Sequence, residues 1–227
     1  MYNTILRLIA SFLAVAIVLT LHEFSHAAVA YLCGDPTPKW YRRLNLNPLR
    51  HFDLAGLLCF TLVGFGWAKP VPINPYNFRK YRLGLGLTAS AGILMNYLCA
   101  WIFFPLYLVV LRYMPASPFS ELMEMFTYYL FAYSLSFAVF NLLPFFPLDG
   151  FRIVDAVDKR RGPVFRFLRN NGQWILLALI FESFLCDLFV RAGIGLIGYF
   201  DILGWVMQFA TGIIGWPIST VWGLLPW

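Results

Sequence analysis

The chain has 227 residues and a net charge of +6; 60% of its side chains are hydrophobic and only 12% are charged. Soluble domains carry about 25% charged residues, so this composition excludes an ordinary soluble enzyme and points to a multi-span membrane protein. No soluble domain is evident that could carry a nucleic-acid-binding basic patch, so nucleic acid is not expected as a partner and the basic excess reads as membrane orientation.

Residues 6–32 form the first predicted span. At 1.5 Å per residue they extend roughly 40 Å, enough to cross with tilt. The stretch is too long for the apolar part of a secretory signal, so no removable signal is expected. His22, Glu23 and His26 interrupt it near its end, and Gly34, Asp35 and Pro36 stop it. Residues 35–55 are polar and basic. The apolar run 56–67 is too short to span and carries Gly64 and Gly66, so a re-entrant β-hairpin or loop is expected there.

Residues 83–111 are the next predicted span, with a kink expected at Pro105, and residues 123–143 the third. The third ends in Asn141-Leu142-Leu143-Pro144-Phe145-Phe146-Pro147-Leu148-Asp149-Gly150, where two prolines force non-helical backbone. Residues 151–172 are basic again. The stretch 174–190 contains Glu182 and Asp187, and 192–227 holds one span or a broken pair.

Of the 17 basic residues, eight lie between the first two spans and six between the third and fourth. Arg7, Arg112 and Arg191 fall at the opposite ends of spans. The pattern is consistent if both basic loops are cytoplasmic and the N-terminus is outside. The four cysteines are scattered without CxxC spacing, which argues against a disulfide framework or a thiolate metal site.

His22-Glu23-Phe24-Ser25-His26 is an HExxH sequence. On a helix the two histidines share one face, about 6 Å apart. They can grip one zinc ion while Glu23, beside the metal, takes a proton from water. Three such groups inside an apolar span are costly; even low estimates give about 2.5–3.5 kcal/mol for a charged side chain at the helix centre. Hydrolytic zinc wants three protein ligands and an open position. His51 lies in a basic loop. Asp149 is the better third ligand, because the charge-derived topology brings it to the same depth as the histidine pair.

These residues resemble the site-2 protease family of intramembrane metalloproteases (peptidase family M50), and most of all its compact bacterial type without a PDZ domain. The resemblance rests on His22-Glu23-Phe24-Ser25-His26 and on residues 141–150, which match an NxxPxxPLDG pattern. It also rests on Gly66-Trp67-Ala68-Lys69-Pro70-Val71-Pro72-Ile73-Asn74-Pro75 and on the stretch 45–53. Ala91, Gly92 and Asn96 are similar to an AGPxxN-like pattern, with Ile93 in place of the proline.

The resemblance implies His22, His26 and Asp149 as ligands of one zinc ion and Glu23 as general base. It implies Asn141 near the metal as an oxyanion stabiliser, and a substrate-guiding segment that includes Gly66, Trp67, Lys69 and Pro70. The expectation is therefore an all-α polytopic membrane protein forming a single domain over residues 1–227. Its three-helix catalytic core covers about 5–155, and a C-terminal region of one to three further spans covers about 156–227. It would reside in a bacterial cytoplasmic (inner) membrane, with its active site toward the cytoplasmic side. It would cleave a single-span membrane protein or a remnant signal peptide. A non-proteolytic metal-binding membrane protein or transporter is the competing reading. A transporter would be expected to show more polar residues at mid-bilayer depth and internal repeats.

Overall fold

The structure is a computed structural model and describes residues 2–63 and 66–224. Its helices are α1 (Tyr2–Leu32), α2 (Thr37–Trp40), α3 (Leu54–Val63), α4 (Tyr81–Tyr113), α5 (Pro118–Leu142), α6 (Asp149–Val157), α7 (Pro163–Arg191) and α8 (Ile202–Gly223). Five of them, α1, α4, α5, α7 and α8, are long and apolar enough to cross a membrane. The protein is an all-α polytopic membrane protein, with two such helices, α7 and α8, in its C-terminal part.

The helix ends follow local chemistry. After α1, Gly34 adopts φ +112° and the Asp35 N–H reaches back to Ala30 O at 3.0 Å, the left-handed stop that glycine permits. Ser117 and Ser120 form a reciprocal capping box at the start of α5, with Pro118 at the first helical position. Asp201 caps α8 by accepting from the Gly204 N–H at 2.7 Å.

Helices α1, α4 and α5 pack on one another, α6 lies against α4 and α5, and α8 packs on α4, α5 and α7. Small residues face inward and large ones outward, as lipid demands. On α1, Ala10, Ala14 and Val18 are fully buried, while Ile9, Leu13 and Ile17 are exposed. On α4 the four-residue row Gly84, Thr88, Gly92, Asn96 and Ala100 is buried, while Leu83, Leu87, Leu94 and Leu98 are exposed. Lipid is as apolar as leucine, so bulky side chains gain little by leaving it; a row of small residues lets two backbones approach closely.

The segment expected as a β-hairpin or loop is helical instead. Residues 54–63 form α3, and the excursion closes through one antiparallel bridge, Phe52 with Ala68, beside a Lys69 N–H to His51 O bond of 3.0 Å. No strand occurs among the described residues. A helix satisfies its own backbone groups, whereas a lone hairpin leaves edges that hydrocarbon cannot solvate. Gly64 lies outside the described residues. Arg43 is buried and ties the excursion shut: its guanidinium donates to Arg50 O, to Lys69 O at 3.2 Å and to Pro70 O at 3.3 Å.

The two basic loops share one end of the molecule. Arg79 N donates to Cys33 O at 3.0 Å, joining the start of α4 to the end of α1, and Arg82 Nη1 donates to Ala156 O of α6 at 3.4 Å.

Candidate active site

His22 and His26 lie one turn apart on the inner face of α1, both about 95% buried, with ring centroids 4.6 Å apart. The facing row of α4 receives them. His26 Nδ1 lies 2.7 Å from Thr88 O, and His22 Nδ1 lies 3.0 Å from Asn96 Nδ2. Between these two contacts sits Gly92. A Cβ there would overlap His26 Nε2 and His22 Cε1, so glycine is what lets the imidazoles lie flat against α4. A carbonyl only accepts, so His26 carries its proton on Nδ1 and presents a lone pair at Nε2.

Asp149 arrives from the other side, in the first turn of α6. The two prolines after Leu143 end α5 and turn the chain back upon itself. Gly150 lies so close to Leu142 O and Leu143 O that any side chain there would collide with them, which seats the start of α6 on the end of α5. Phe151, stacked on Phe165 at 5.0 Å, is buried beneath this turn.

The three side chains meet at one point. Asp149 Oδ2 lies 2.9 Å from His26 Nε2 and 3.3 Å from His22 Nε2, and the two Nε2 atoms are 3.0 Å apart. Among the described residues these three alone group closely enough to hold a metal ion through His, Cys, Asp or Glu. A tetrahedral zinc with ligands near 2.0–2.1 Å would separate its donors by about 3.3 Å, close to the observed triangle. Asp149 Oδ2 is buried and has no hydrogen bond of good geometry, so its nearness to the imidazoles is that of convergent ligands rather than of a donor and an acceptor. The donor set therefore fits a divalent cation such as zinc.

A cavity of about 140 Å³ opens beside this cluster, lined among others by Glu23, Asn141, Pro70, Val71, Ile73 and Arg152. Glu23 Oε2 accepts from the Val71 N–H at 3.1 Å.

Residues 110–182 match the model of peptidase family M50. A protein of Bacillus subtilis (strain 168) named "Putative zinc metalloprotease YwhC" is 41% identical over 138 residues, which are 60% of this chain and 63% of that relative. The chain is therefore similar to peptidase family M50. It spans less than two thirds of the length of the curated relative it matches, and no solved structure matches it.

The family match covers Asn141 and Asp149 but stops short of the histidines on α1. In this chain the tertiary structure brings together His22, Glu23, His26, Asn141, Asp149 and Pro70 around one cavity. Asn141 turns its amide nitrogen back to Phe137 O, 3.1 Å away on its own helix. Gly66, Trp67 and Lys69 do not line that cavity. Gly66 packs on Gly56 and Phe60 of α3, Trp67 is half exposed, and Lys69 pairs with His51 through its backbone. His51 is buried elsewhere and donates from Nε2 to Asn45 O at 2.6 Å. Sequence reasoning passed over Thr88, whose contribution is a backbone carbonyl, and Ile73 and Arg152, whose place depends on how α6 and the extended segment fold over the site.

Proposed function

We propose that this chain is a zinc-dependent intramembrane endopeptidase. It would cleave the membrane segment of a single-span protein, or a remnant signal peptide, near the cytoplasmic side of the bacterial inner membrane. The observation that carries this reading is the meeting of His22 Nε2, His26 Nε2 and Asp149 Oδ2 within 3.3 Å of one another, beside a carboxylate and an open cavity. The Bacillus relative, named "Putative zinc metalloprotease YwhC", supports it. The sidedness rests on the two basic loops at the active-site end of the helices, which are retained in the cytoplasm.

One zinc ion held by His22, His26 and Asp149 would polarise the scissile carbonyl and make water nucleophilic at neutral pH. Glu23 borders the same cavity. It receives the proton of the attacking water and passes it to the leaving amine. Asn141 also lines the cavity, where its amide can swing from Phe137 O toward the developing oxyanion.

A helical substrate shields its own peptide bonds, so it must unwind before attack. The non-helical stretch 70–74 borders the cavity through Pro70, Val71 and Ile73. The Ile73 side chain also lines an adjoining groove of about 260 Å³ with Phe78, Phe146 and Arg169. Such a groove suits an extended peptide paired along a backbone edge.

The test is reconstitution of the purified chain in liposomes with a single-span substrate. Cleavage is expected, and is expected to stop on zinc chelation and in Glu23→Gln. Cleavage that persists under either condition would overturn the reading.

A further inference from the structure

The two histidines meet α4 in different ways. His26 Nδ1 faces a backbone carbonyl, Thr88 O, at 2.7 Å. His22 Nδ1 faces a side-chain amide, that of Asn96, at 3.0 Å. Asn96 is fully buried; it sits eight residues beyond Thr88, two helical turns along the same row. Its other amide atom, Oδ1, is buried without a hydrogen-bond partner.

The amide as placed sets a donor order. Asn96 Nδ2 can only donate, so His22 Nδ1 accepts and the His22 proton lies on Nε2, directed at His26 Nε2 3.0 Å away. That order suits two imidazoles hydrogen-bonded to each other. It does not suit two imidazoles sharing a cation, because each Nε2 must then offer a lone pair and each Nδ1 must carry the proton. Thr88 O already meets this requirement for His26. For His22 the group within reach is the Asn96 amide, and Oδ1 is the acceptor required. A half-turn about the Cβ–Cγ bond exchanges the nitrogen and the oxygen at almost unchanged shape.

We propose that Asn96 is a positioning residue of the metal site: its Oδ1 turns to His22 Nδ1–H and thereby directs the His22 Nε2 lone pair to the cation held with His26 and Asp149. The proton moves from Nε2 to Nδ1 of the same ring, so the imidazole stays neutral and no proton is lost to solvent by the change. Asn96 and Thr88 then form a matched pair of acceptors on one face of α4, each holding one ligand in the metal-binding tautomer. An amide serves either order because it offers a donor at one end and an acceptor at the other. A carboxylate serves only the cation-binding order, and an alkyl group serves neither.

The inference rests on the proposed metal site, and the experiment separates the two. Zinc affinity is measured by chelator competition for the full-length chain in detergent, as wild type, Asp149→Ala, Asn96→Leu and Asn96→Asp, with thermal unfolding of each apo protein to report its fold. The d–d spectrum of the cobalt-substituted chain reports the ligand field. Asp149→Ala tests the metal site itself; unchanged binding there rejects the site and with it the role of Asn96. With that site standing, Asn96→Leu is expected to weaken zinc about 10–100-fold, the usual effect of losing an outer-sphere partner. Asn96→Asp is expected to bind zinc at least as tightly as wild type, with a wild-type cobalt spectrum.

Rescue by aspartate but not by leucine is what a purely structural amide would not produce. Equal affinity in wild type and Asn96→Leu would overturn the proposal. So would Asn96→Asp binding as weakly as Asn96→Leu. If Asn96→Leu does not fold, Asn96→Asp decides alone: retained zinc affinity supports the acceptor role, and a tenfold or greater loss rejects it.

Discussion

The carboxylate of Glu23 accepts a hydrogen bond from the backbone N–H of Val71, 3.1 Å away and 48 residues along the chain. This bond ties the proposed general base to the extended segment that borders the cavity. Glu23→Gln keeps both the shape and an oxygen able to accept from Val71, but it removes the base. Cleavage is expected to fall about 10²–10⁴-fold, the usual contribution of general acid–base catalysis, with zinc content unchanged by elemental analysis. Loss of zinc from this variant would show that Glu23 has a ligand's role instead.

Asp149→Asn keeps the volume of the third ligand and removes its charge. Two neutral imidazoles remain, one donor short of the three that hydrolytic zinc sites use. The variant is expected to lose its zinc during gel filtration, whereas wild type retains about one equivalent. Retention by the variant would mean that the metal takes its third ligand elsewhere.

Gly92→Ala places a methyl group against both imidazoles. Overpacking of this kind costs about 1–3 kcal/mol, and here the strain falls on the ligand pair. Zinc affinity and thermal stability are both expected to drop. Gly162→Ala is the control, because no atom lies within 4 Å of the added carbon. Equal behaviour of the two variants would remove the packing argument.

Arg43→Lys keeps the charge and loses the planar fork that reaches Arg50 O, Lys69 O and Pro70 O together. The extended segment next to Glu23 would then be less firmly held. Turnover is expected to fall while zinc content stays constant. Hydrogen exchange at Val71 N–H is expected to speed up, and unchanged exchange would contradict this account.

Asp35 fastens the turn after that segment. It is fully buried and accepts from Thr37 N, Thr37 Oγ1, Asn74 N at 2.7 Å and Asn77 Nδ2 at 2.8 Å. Burial works to raise its carboxyl, and these donors together carry it below the ordinary 3.8. A carboxyl depressed in the folded state stabilises fully above its unfolded value and loses that contribution as pH falls through the folded one. Wild-type thermal stability should therefore hold above pH 3.8 and decline below it. Asp35→Ala is expected to be less stable by about 2–3 kcal/mol at neutral pH and to decline less steeply in acid. Parallel melting curves for the two proteins across that range would discount the network.

The residues differ in how much of their role could be read from the chain. HExxH is local: four residues are one helical turn, so the histidine pair was legible without tertiary information. Asp149 was legible because charge bias aligns helix ends in depth. The run 56–67 reads from sequence as a re-entrant hairpin or loop, yet residues 54–63 are helical: a short apolar run with glycines is compatible with either backbone, and hydrocarbon favours the one that bonds to itself. The resemblance groups Gly66, Trp67 and Lys69 with Pro70 as one substrate-guiding segment. Only Pro70 reaches the cavity, because the bridge at Ala68 turns the chain between them.

The chain by itself determined which segments lie in lipid, which end faces the basic loops, and which residues could ligate a metal. These follow from composition and short-range periodicity, where each residue acts nearly alone. Only the tertiary structure decided that the buried four-residue row of α4 meets the two histidines, with Thr88 O and the Asn96 amide one on each Nδ1 and Gly92 between them. That register depends on how closely two helix backbones approach, a property of the pair that neither sequence segment carries alone.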